Sequence, residues 1–494
     1  MKLGILAAVL LYELIVIVGI GMWLSKKQKQ AATSEGKHGF LLSGRDMPTA
    51  VVAITMALTV LGTVHILGIF EISWGIGATS MWVSFSHVIL LVVATLGTGR
   101  WARRLNVSTI PELVEMLHGK NARLVVCCAM APVIWGILTL ECQGLGIILS
   151  AVTGWSIKNG AMVGAVLGVM YVIFAGMKEI GWVNLINTIV MYVGLIVATI
   201  VLTTKLPNGW DGVANYYIEQ DQDWMLSIFG TPDLMITFAL GFTFSVVFCQ
   251  GISQMLMQTA LSAKSEMSVK KALWIAAPVN GLFGLFTVCM GMAAKTIPEF
   301  HALGPKMAAP TMLVALLPGW LVAWLLASFI AAVLSTFAMT SMTPATIFTM
   351  DIYKNLFNPD MTEADEKRIT RIGIVILAIL AVISAANLPP IVGAIGWLFA
   401  WMVPVFWMVV FGLFWKRSQG AAIATMIIAW IGNSVWSFTS LAKTMGMADI
   451  PNVYVTLLLT FVVGVTSLAM SNGKPGYFKE QKKNQATDIQ AQQV

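Results

Sequence analysis

Long apolar runs recur along almost the whole chain and are separated by short polar segments. Each run is about 20 residues long, which is the length that a helix needs to cross a hydrocarbon core of about 30 Å. The sequence therefore predicts an all-α membrane protein that crosses the bilayer many times. We predict thirteen spans, and they lie near residues 3–24, 48–76, 79–100, 121–150, 156–176, 180–204, 233–258, 271–296, 318–348, 371–388, 391–415, 419–441 and 452–470.

The composition supports this class. Of the 494 residues, 58% are hydrophobic and only 11% are charged, whereas a soluble domain carries roughly 25% charged residues. The five cysteines show no spacing that is typical of a disulfide framework or a metal site. The first run, 3–24, lacks a small-residue cleavage site and is longer than the apolar part of a signal peptide, so we predict a mature helix there.

Basic residues are concentrated in alternate connections between the spans. The net charge of +7 arises almost entirely outside the apolar runs, a pattern that sets membrane orientation and does not indicate nucleic-acid binding. Because positive charge favours the cytoplasmic side, we predict an inner (plasma) membrane protein with its N-terminus outside and its C-terminus in the cytoplasm. The basic cytoplasmic segments are then KKQK (26–29), RWARR (100–104), EKRITR (366–371) and WKR (415–417).

Three polar segments outside the spans carry predictions of their own. Segment 105–120 has Ser108 or Thr109 as a helix cap and predicts a short cytoplasmic helix. The outer segment 205–232 is polar and aromatic and predicts a short helix at the membrane interface. The tail, 471–494, is polar and is predicted to be disordered.

Two spans contain internal glycines that predict interruptions, at Gly62 and Gly68 and at Gly241 and Gly251. Each span opens a set of five, and an odd number of spans per set gives the two sets opposite orientations. Interrupted helices at matching positions of two inverted halves are typical of a secondary transporter's binding site, although membrane glycines also simply permit close packing. The predicted single transmembrane domain, 1–470, thus comprises a peripheral helix (3–24), two inverted repeats (48–204 and 233–415) and two peripheral helices (419–470).

Few ionisable side chains lie inside the predicted spans. A charge at the bilayer centre costs from about 2.5 kcal/mol upward, so each is a candidate functional residue. Glu141 lies deep in the fourth span and is either a solute or proton contact or a neutral acid bonded to a neighbouring helix. His65 follows the first interruption and is a candidate solute contact, and Glu71 lies nearer the outer mouth. For His87 and Glu13 we favour packing roles.

An adjacent pair of hydroxyl residues, Ser335 and Thr336, lies in the inner half of a span in which every residue from Leu321 to Leu334 is apolar except Ser328. A single membrane hydroxyl usually bonds a carbonyl of its own helix, three or four residues earlier. Two hydroxyls beside the carbonyl of Ala332 form an all-oxygen group, which suits a hard monovalent cation if a second, unwound helix supplies further carbonyls. The glycine-interrupted second span is the candidate for that role.

Several sequence motifs together indicate a known family. They are FLLSGRDMP (40–48), TIPELVEMLHG (109–119), ECQGLG (141–146), AGMKEIGWVNLIN (175–187), STFAMTSMTPATIFTMDIYK (335–354) and FGLFWKR (411–417). Through these motifs the chain resembles the solute:sodium symporter family over about residues 1–470. Members of this family transport sugars, sialic acid, proline, pantothenate and monocarboxylates. The resemblance implies a thirteen-helix plan built on the inverted five-helix repeat of the LeuT-like fold.

The resemblance also implies a site for sodium as the coupling ion, with no other cofactor. The family's principal sodium site uses two backbone carbonyls of the first repeat helix, which match Leu58 and Leu61. A third carbonyl matches Ala332, and the paired hydroxyls match Ser335 and Thr336.

The family's solute-binding positions match five residues of this chain. Val60 and His65 lie on the second span, Glu141 on the fourth, and Ser253 and Gln254 at the end of the seventh. Sugar transporters carry amides where this chain has an acid and an imidazole. The resemblance therefore does not imply a sugar transporter.

We therefore predict a sodium-coupled symporter, not an enzyme, that imports a small organic solute by alternating access and works as a monomer. Glu141 favours an amine-bearing solute, cationic or zwitterionic. The family's acidic residue for an auxiliary second sodium site is Asn184 here, so that site is not expected. Two alternatives stay open. One is proton-coupled transport of a carboxylate or pantothenate-like solute, with Glu141 or His65 carrying the proton, and the other is a transporter-like solute sensor.

Overall fold

A computed structural model describes residues 2–31, 39–174, 177–385 and 390–491. Helices make up nearly all of this part of the chain, as the apolar runs predict. The α-helices are α1 (Lys2–Ala31), α2 (Gly39–Leu42), α3 (Thr49–Val60), α4 (Ile69–Ile76), α5 (Trp82–Val93), α6 (Gly99–Leu105), α7 (Ile110–His118), α8 (Lys120–Thr153), α9 (Ile157–Phe174), α10 (Met177–Lys205), α11 (Gly209–Glu219), α12 (Pro232–Leu234), α13 (Gly241–Gln250), α14 (Gln254–Leu261), α15 (Glu266–Thr296), α16 (Pro298–His301), α17 (Gly304–Leu316), α18 (Gly319–Thr346), α19 (Glu363–Ala385), α20 (Ile391–Ala400), α21 (Val403–Phe414), α22 (Gln419–Phe438), α23 (Leu441–Thr444), α24 (Asn452–Met470) and α25 (Tyr477–Ala491).

Shorter segments join or extend these helices. Wider π turns occupy Val64–Gly68, Ala94–Thr98, Met235–Leu240 and Ile347–Lys354, and 3₁₀ turns occupy Ser43–Arg45, Gly77–Met81 and Asp223–Leu226. Two short strands, β1 (Lys416–Arg417) and β2 (Lys474–Pro475), pair antiparallel.

Every predicted span coincides with helical structure. Within the described ranges, nine helical stretches are long and apolar enough to cross a membrane, or ten if the bent pair α20 and α21 counts as one. One of the nine, 64–105, contains parts of two predicted spans, which are separated at Gly77, where φ is +54°. Shorter apolar helices account for the remaining spans. The ends of two predictions, at 175–176 and 386–388, lie outside the described residues.

The two broken helices are confirmed, but only at one glycine each. Helix α3 ends at Val60 and helical structure resumes at Val64, so the break lies at Gly62. Helix α13 ends at Gln250 and α14 begins at Gln254, so that break includes Gly251. The predicted interruptions at Gly68 and Gly241 are wrong, because both glycines have helical backbone angles inside continuous helical stretches.

Helix α18 forms the centre of the bundle. It packs against α3, α8 and α10, and every residue from Leu325 to Thr346 is buried. This helix carries the hydroxyl pair, which is therefore surrounded by protein and shielded from lipid.

Two predicted connecting helices are also confirmed. In α7 the Thr109 side chain accepts a hydrogen bond from the Glu112 backbone N–H at 3.1 Å, and the Glu112 carboxylate in turn accepts from the backbone N–H of Thr109. This reciprocal cap fixes where the helix begins. Helix α11 lies within segment 205–232, where the sequence predicts a short helix.

The prediction of a disordered tail is wrong for its described part. Residues 474–475 pair with β1, and α25 follows. The ring centres of Phe478 and Phe414 are 5.3 Å apart. Arg417 forms an ion pair with Glu480 and lies over the Tyr477 ring. Aromatic and ionic contacts with the end of α21 thus order a segment whose composition alone favours disorder.

A buried ion cluster connects the end of the α18 stretch to α7 and α8. The Asp351 carboxylate accepts hydrogen bonds from Thr109 Oγ1 at 2.7 Å and from Arg123 Nε at 2.9 Å. Arg123 also pairs with Glu115 at 2.5 Å. Asp351 is fully buried, so its charge is tolerated because Arg123 compensates it.

Replacing Arg123 with methionine should therefore destabilise the fold strongly. The variant leaves Asp351 buried without its cation, which should cost about 3 kcal/mol and lower the thermal unfolding midpoint of the purified protein in detergent. The matched control is Arg100→Met, which breaks the half-exposed pair with Glu266 at 3.6 Å and should cost less than about 1 kcal/mol. Equal losses in the two variants would contradict this account of the cluster.

Candidate functional site

The break in the α3–α4 helix releases backbone carbonyls from the helical ladder. In a continuous helix the His65 N–H would donate to the Leu61 carbonyl, but here it donates to the Gly62 carbonyl at 3.1 Å. Leu61 itself has φ −97° and ψ 70°, which are not helical angles. The Leu61 carbonyl is therefore released from its helical bond. The Leu58 carbonyl accepts from the Leu61 N–H at 3.3 Å and can also accept from groups of other helices.

The hydroxyl pair of α18 lies directly against this break. Ser335 Oγ lies 3.2 Å from the Leu58 carbonyl oxygen and 2.8 Å from the Ala332 carbonyl oxygen. Thr336 Oγ1 lies 3.0 Å from the Leu58 oxygen and 3.5 Å from the Ala332 oxygen. Four of the five predicted ion ligands thus converge, and the break that frees the fifth, Leu61, is adjacent.

This oxygen cluster has the chemistry of a sodium site. Carbonyl and hydroxyl oxygens are the ligands that hard cations prefer, and all these groups are buried. The hydroxyl protons now point at the two carbonyls, and rotation of each hydroxyl would turn its lone pairs towards a cation. The cluster therefore fits a small monovalent cation as cargo.

The Glu141 carboxylate is held at the same break. Its Oε2 accepts hydrogen bonds from the Thr63 backbone N–H at 3.0 Å and from Thr63 Oγ1 at 2.8 Å. Gly144, one turn further along α8, makes room for this contact, since a Cβ there would lie 2.0 Å from Thr63 Oγ1. The prediction that Glu141 lies deep inside the protein is confirmed by its 1% exposure.

Gly62 brings the carboxylate and the hydroxyl pair together. A Cβ on Gly62 would lie 2.6 Å from Thr336 Oγ1 and 2.7 Å from each Glu141 carboxylate oxygen. Only glycine fits between these groups, because real Cβ atoms do not approach oxygen so closely. The break, α8 and α18 therefore meet around one point.

On the other side of the break, His65 lies among aromatic rings, in a cluster that we call the aromatic chamber. Its ring centre is 4.3 Å from that of His87 and 6.4 Å from that of Phe283. The His65 ring also lies within reach of the Asn280 side chain, whose Nδ2 donates to the Ala57 carbonyl at 2.9 Å. Among the described residues, the His65 ring nitrogens and the Asn280 oxygen make no hydrogen bond of regular geometry. Buried polar atoms in this condition are uncommon, which makes this chamber a candidate solute site.

Two predicted solute residues have contacts elsewhere. Ser253 caps α14 by accepting from the Met255 N–H at 3.3 Å. Gln254 Oε1 accepts a hydrogen bond at 2.8 Å from the backbone N–H of Ile110, which is the first residue of α7. These contacts connect the end of the seventh span to the short helix α7 and do not join it to His65 or Glu141. Val60, by contrast, is the last residue of α3 and directly precedes the break.

Three other polar residues lie away from the oxygen cluster. Glu71 accepts from the Ile391 N–H at 3.0 Å and lies 4.0 Å from the Lys306 ammonium, which connects α4 to α20 and α17. Asn184 is fully buried, and neither polar atom of its side chain has a partner within the described part of the chain. Glu13 on α1 is buried, and its Oε1 has no partner among the same residues.

Three residues that shape the site were not predicted from the sequence. Thr63 forms hydrogen bonds to Glu141, and its position beside a predicted helix interruption could have indicated a role in the site. Asn280 is a lone amide in an apolar span, which was a second signal. His87 was assigned to packing, yet its ring faces His65, and its Nδ1 lies 2.7 Å from the Val83 carbonyl of its own helix.

Similarity to characterised proteins extends over most of the chain. The sodium/glucose cotransporter of Vibrio parahaemolyticus is 23% identical over 92% of this chain and 89% of its own length. A sodium/proline symporter of Staphylococcus aureus is 23% identical over 95% of this chain and 94% of its own length. High-affinity choline transporter 1 of Drosophila melanogaster is 24% identical over 79% of this chain, which spans 63% of that protein. These relatives are transporters, as predicted, and not enzymes.

Solved structures confirm the predicted fold. A Na⁺-coupled sialic acid symporter in a substrate-bound, outward-open state aligns with a TM-score of 0.78 at 15% identity, over 95% of this chain and 98% of that one. The nucleobase-cation-symport-1 family transporter Mhp1 aligns with a TM-score of 0.55 at 12% identity, over 88% of this chain and 95% of that one. The fold is thus the LeuT-like inverted repeat.

A match to a family model shows which protein family the chain belongs to. The model described as "SSF: Sodium:solute symporter family" matches residues 40–429, which include the broken helix, Glu141 and the hydroxyl pair. The chain belongs to the sodium:solute symporter family.

Proposed function

We propose that this protein is a sodium-coupled symporter that imports a small amine-bearing solute by alternating access. The observation that carries the proposal is the convergence of Ser335 and Thr336 with the carbonyls of Leu58 and Ala332, at distances of 2.8 to 3.5 Å. With the carbonyl of Leu61, these five residues form the proposed sodium site. One sodium ion moving down a potential of about 100 mV supplies about 2.3 kcal/mol for solute accumulation.

The ion site and the solute chamber share one broken helix. Leu58 and Leu61 lie before or at the break, and His65 lies just after it. An ion that holds the break against α18 would also fix the position of His65. In the proposed cycle, sodium therefore binds first and completes the solute site, which makes solute binding depend on the ion.

The chamber favours a solute that donates hydrogen bonds and carries positive charge. The Asn280 oxygen and a neutral His65 ring lie within reach of each other, and each can accept a hydrogen bond from a solute. The rings of His87 and Phe283 lie beside His65, and aromatic faces attract ammonium groups. Two relatives are named choline transporters, which agrees with an amine-bearing solute, cationic or zwitterionic.

The same proposal includes the organisation of the chain in the membrane. We place the inverted repeats at 48–204 and 233–415, with 3–24 and 419–470 as peripheral helices. The Lys and Arg bias supports an N-terminus outside and a cytoplasmic C-terminus in the inner membrane. We propose a monomer as the transporting unit. Solute contacts are proposed at Val60 and His65, and the contact of Gln254 with α7 favours a role for Ser253 and Gln254 in closing the inner side.

Removing both hydroxyls should weaken the binding of the coupling sodium ion. In proteoliposomes, Ser335→Ala with Thr336→Ala should raise the sodium concentration for half-maximal uptake at least about tenfold, because two ligand oxygens are lost. The matched control is Ser328→Ala on the same helix, whose hydroxyl bonds only the Trp324 carbonyl of its own helix at 2.9 Å. Uptake that persists without sodium, but follows a pH gradient, would instead support proton coupling.

A thermal-shift screen should identify the solute class. We expect choline, betaine or amino acids to raise the unfolding midpoint in sodium chloride but not in potassium chloride, since the ion completes their site. Carboxylates without nitrogen should have no effect. Stabilisation by such carboxylates alone would contradict the proposed solute class while leaving sodium coupling intact.

A further inference from the structure

We propose that Glu141 is part of the sodium site, where its carboxylate supplies the negative charge that compensates the ion, and that Thr63 holds it in this position. This inference rests on the proposed sodium coupling. It gives Glu141 a different role from that of a solute contact, and it adds a charged group to the neutral oxygen cluster of Leu58, Leu61, Ala332, Ser335 and Thr336.

The Glu141 carboxylate lies close to the hydroxyl pair of α18. Both Glu141 carboxylate oxygens and Thr336 Oγ1 lie within 2.7 Å of a single point, the position that a Cβ on Gly62 would occupy. Because Gly62 has no side chain, nothing separates the carboxylate from the hydroxyl pair there. A cation bound by Thr336 would therefore lie close to a negative charge.

The negative charge of Glu141 and the positive charge of a bound sodium ion would balance each other. Among the described residues, Glu141 forms no ion pair with a lysine or arginine, and its bonds are those from Thr63. A buried carboxylate without a cation is costly, and so is a sodium ion that has only neutral ligands in a medium of low dielectric constant. Each charge lowers the cost of burying the other.

Thr63 orients the Glu141 carboxylate through only one of its two oxygens. The backbone N–H and the hydroxyl of Thr63 both donate to Oε2, so Oε1 is not used by either bond. Gly144 allows Thr63 to approach α8 this closely. The carboxylate is thus fixed by one oxygen, which leaves the other available to the ion.

With Glu141 as a ligand, the bound ion contacts three structural elements instead of two. The neutral ligands connect only the broken helix and α18. With Glu141, the ion also engages α8, so its binding favours the arrangement in which all three elements meet at Gly62.

The test is sodium binding without any solute. Purified protein is titrated with sodium chloride against potassium chloride at constant ionic strength, and binding is followed by the thermal unfolding midpoint or by tryptophan fluorescence. Glu141→Gln should raise the half-saturating sodium concentration at least about tenfold, since a charge-assisted contact is lost. Glu141→Asp, which keeps the charge, should lose less. Glu13→Gln removes another buried membrane carboxylate and should stay within about twofold of wild type.

Thr63→Val is the second variant, in case Glu141→Gln does not fold. It removes the hydroxyl bond to Oε2 and should weaken sodium binding about threefold. Sodium affinity that is unchanged in both Glu141→Gln and Thr63→Val would overturn the inference and favour a solute contact. Equal losses in Glu141→Gln and Glu13→Gln would also overturn it. A wild-type protein that does not respond to sodium would instead overturn the proposed function itself.

Discussion

The break in the membrane helix at Gly62 is the feature on which the rest of the site depends. Backbone carbonyls inside a bilayer need partners, and an interrupted helix is tolerated only where protein groups supply them. Here Ser335 and Thr336 of the buried helix α18 lie against the Leu58 carbonyl. The site thus consists of an interrupted backbone segment and the hydroxyls that bond to it, which is an arrangement that a small cation can occupy.

The same break organises the residues on its other side. Thr63 holds Glu141, and His65 faces His87 and Phe283 in the aromatic chamber. Ion and solute would therefore act on one short stretch of backbone. On the side that we propose to be cytoplasmic, α14 is joined to α7 through Gln254, and α7 is joined to the end of the α18 stretch through Thr109 and Asp351. In this account, opening the inner side requires the separation of these contacts.

Features that depend on local sequence could be predicted, whereas those that depend on tertiary contacts could not. The apolar runs, the Thr109 cap, the break at Gly62 and the hydroxyl pair each have a nearby signal. The order of the tail could not be predicted, because Phe478 and Glu480 find their partners on α21 and β1. The contact of Gln254 with α7 could not be predicted for the same reason. A carboxylate in a membrane helix indicates a functional role, but its partner, Thr63, is 78 residues away in sequence.

Equilibrium binding of radioactive sodium to the purified wild-type protein tests the proposed sodium site most directly. We predict saturable binding of a single ion per chain, displaced by unlabelled sodium but not by potassium or choline. A single ion is expected because the chain has Asn184 where the family resemblance implies an acid for a second site. Absence of saturable sodium binding, or two ions per chain, would contradict the proposed single site.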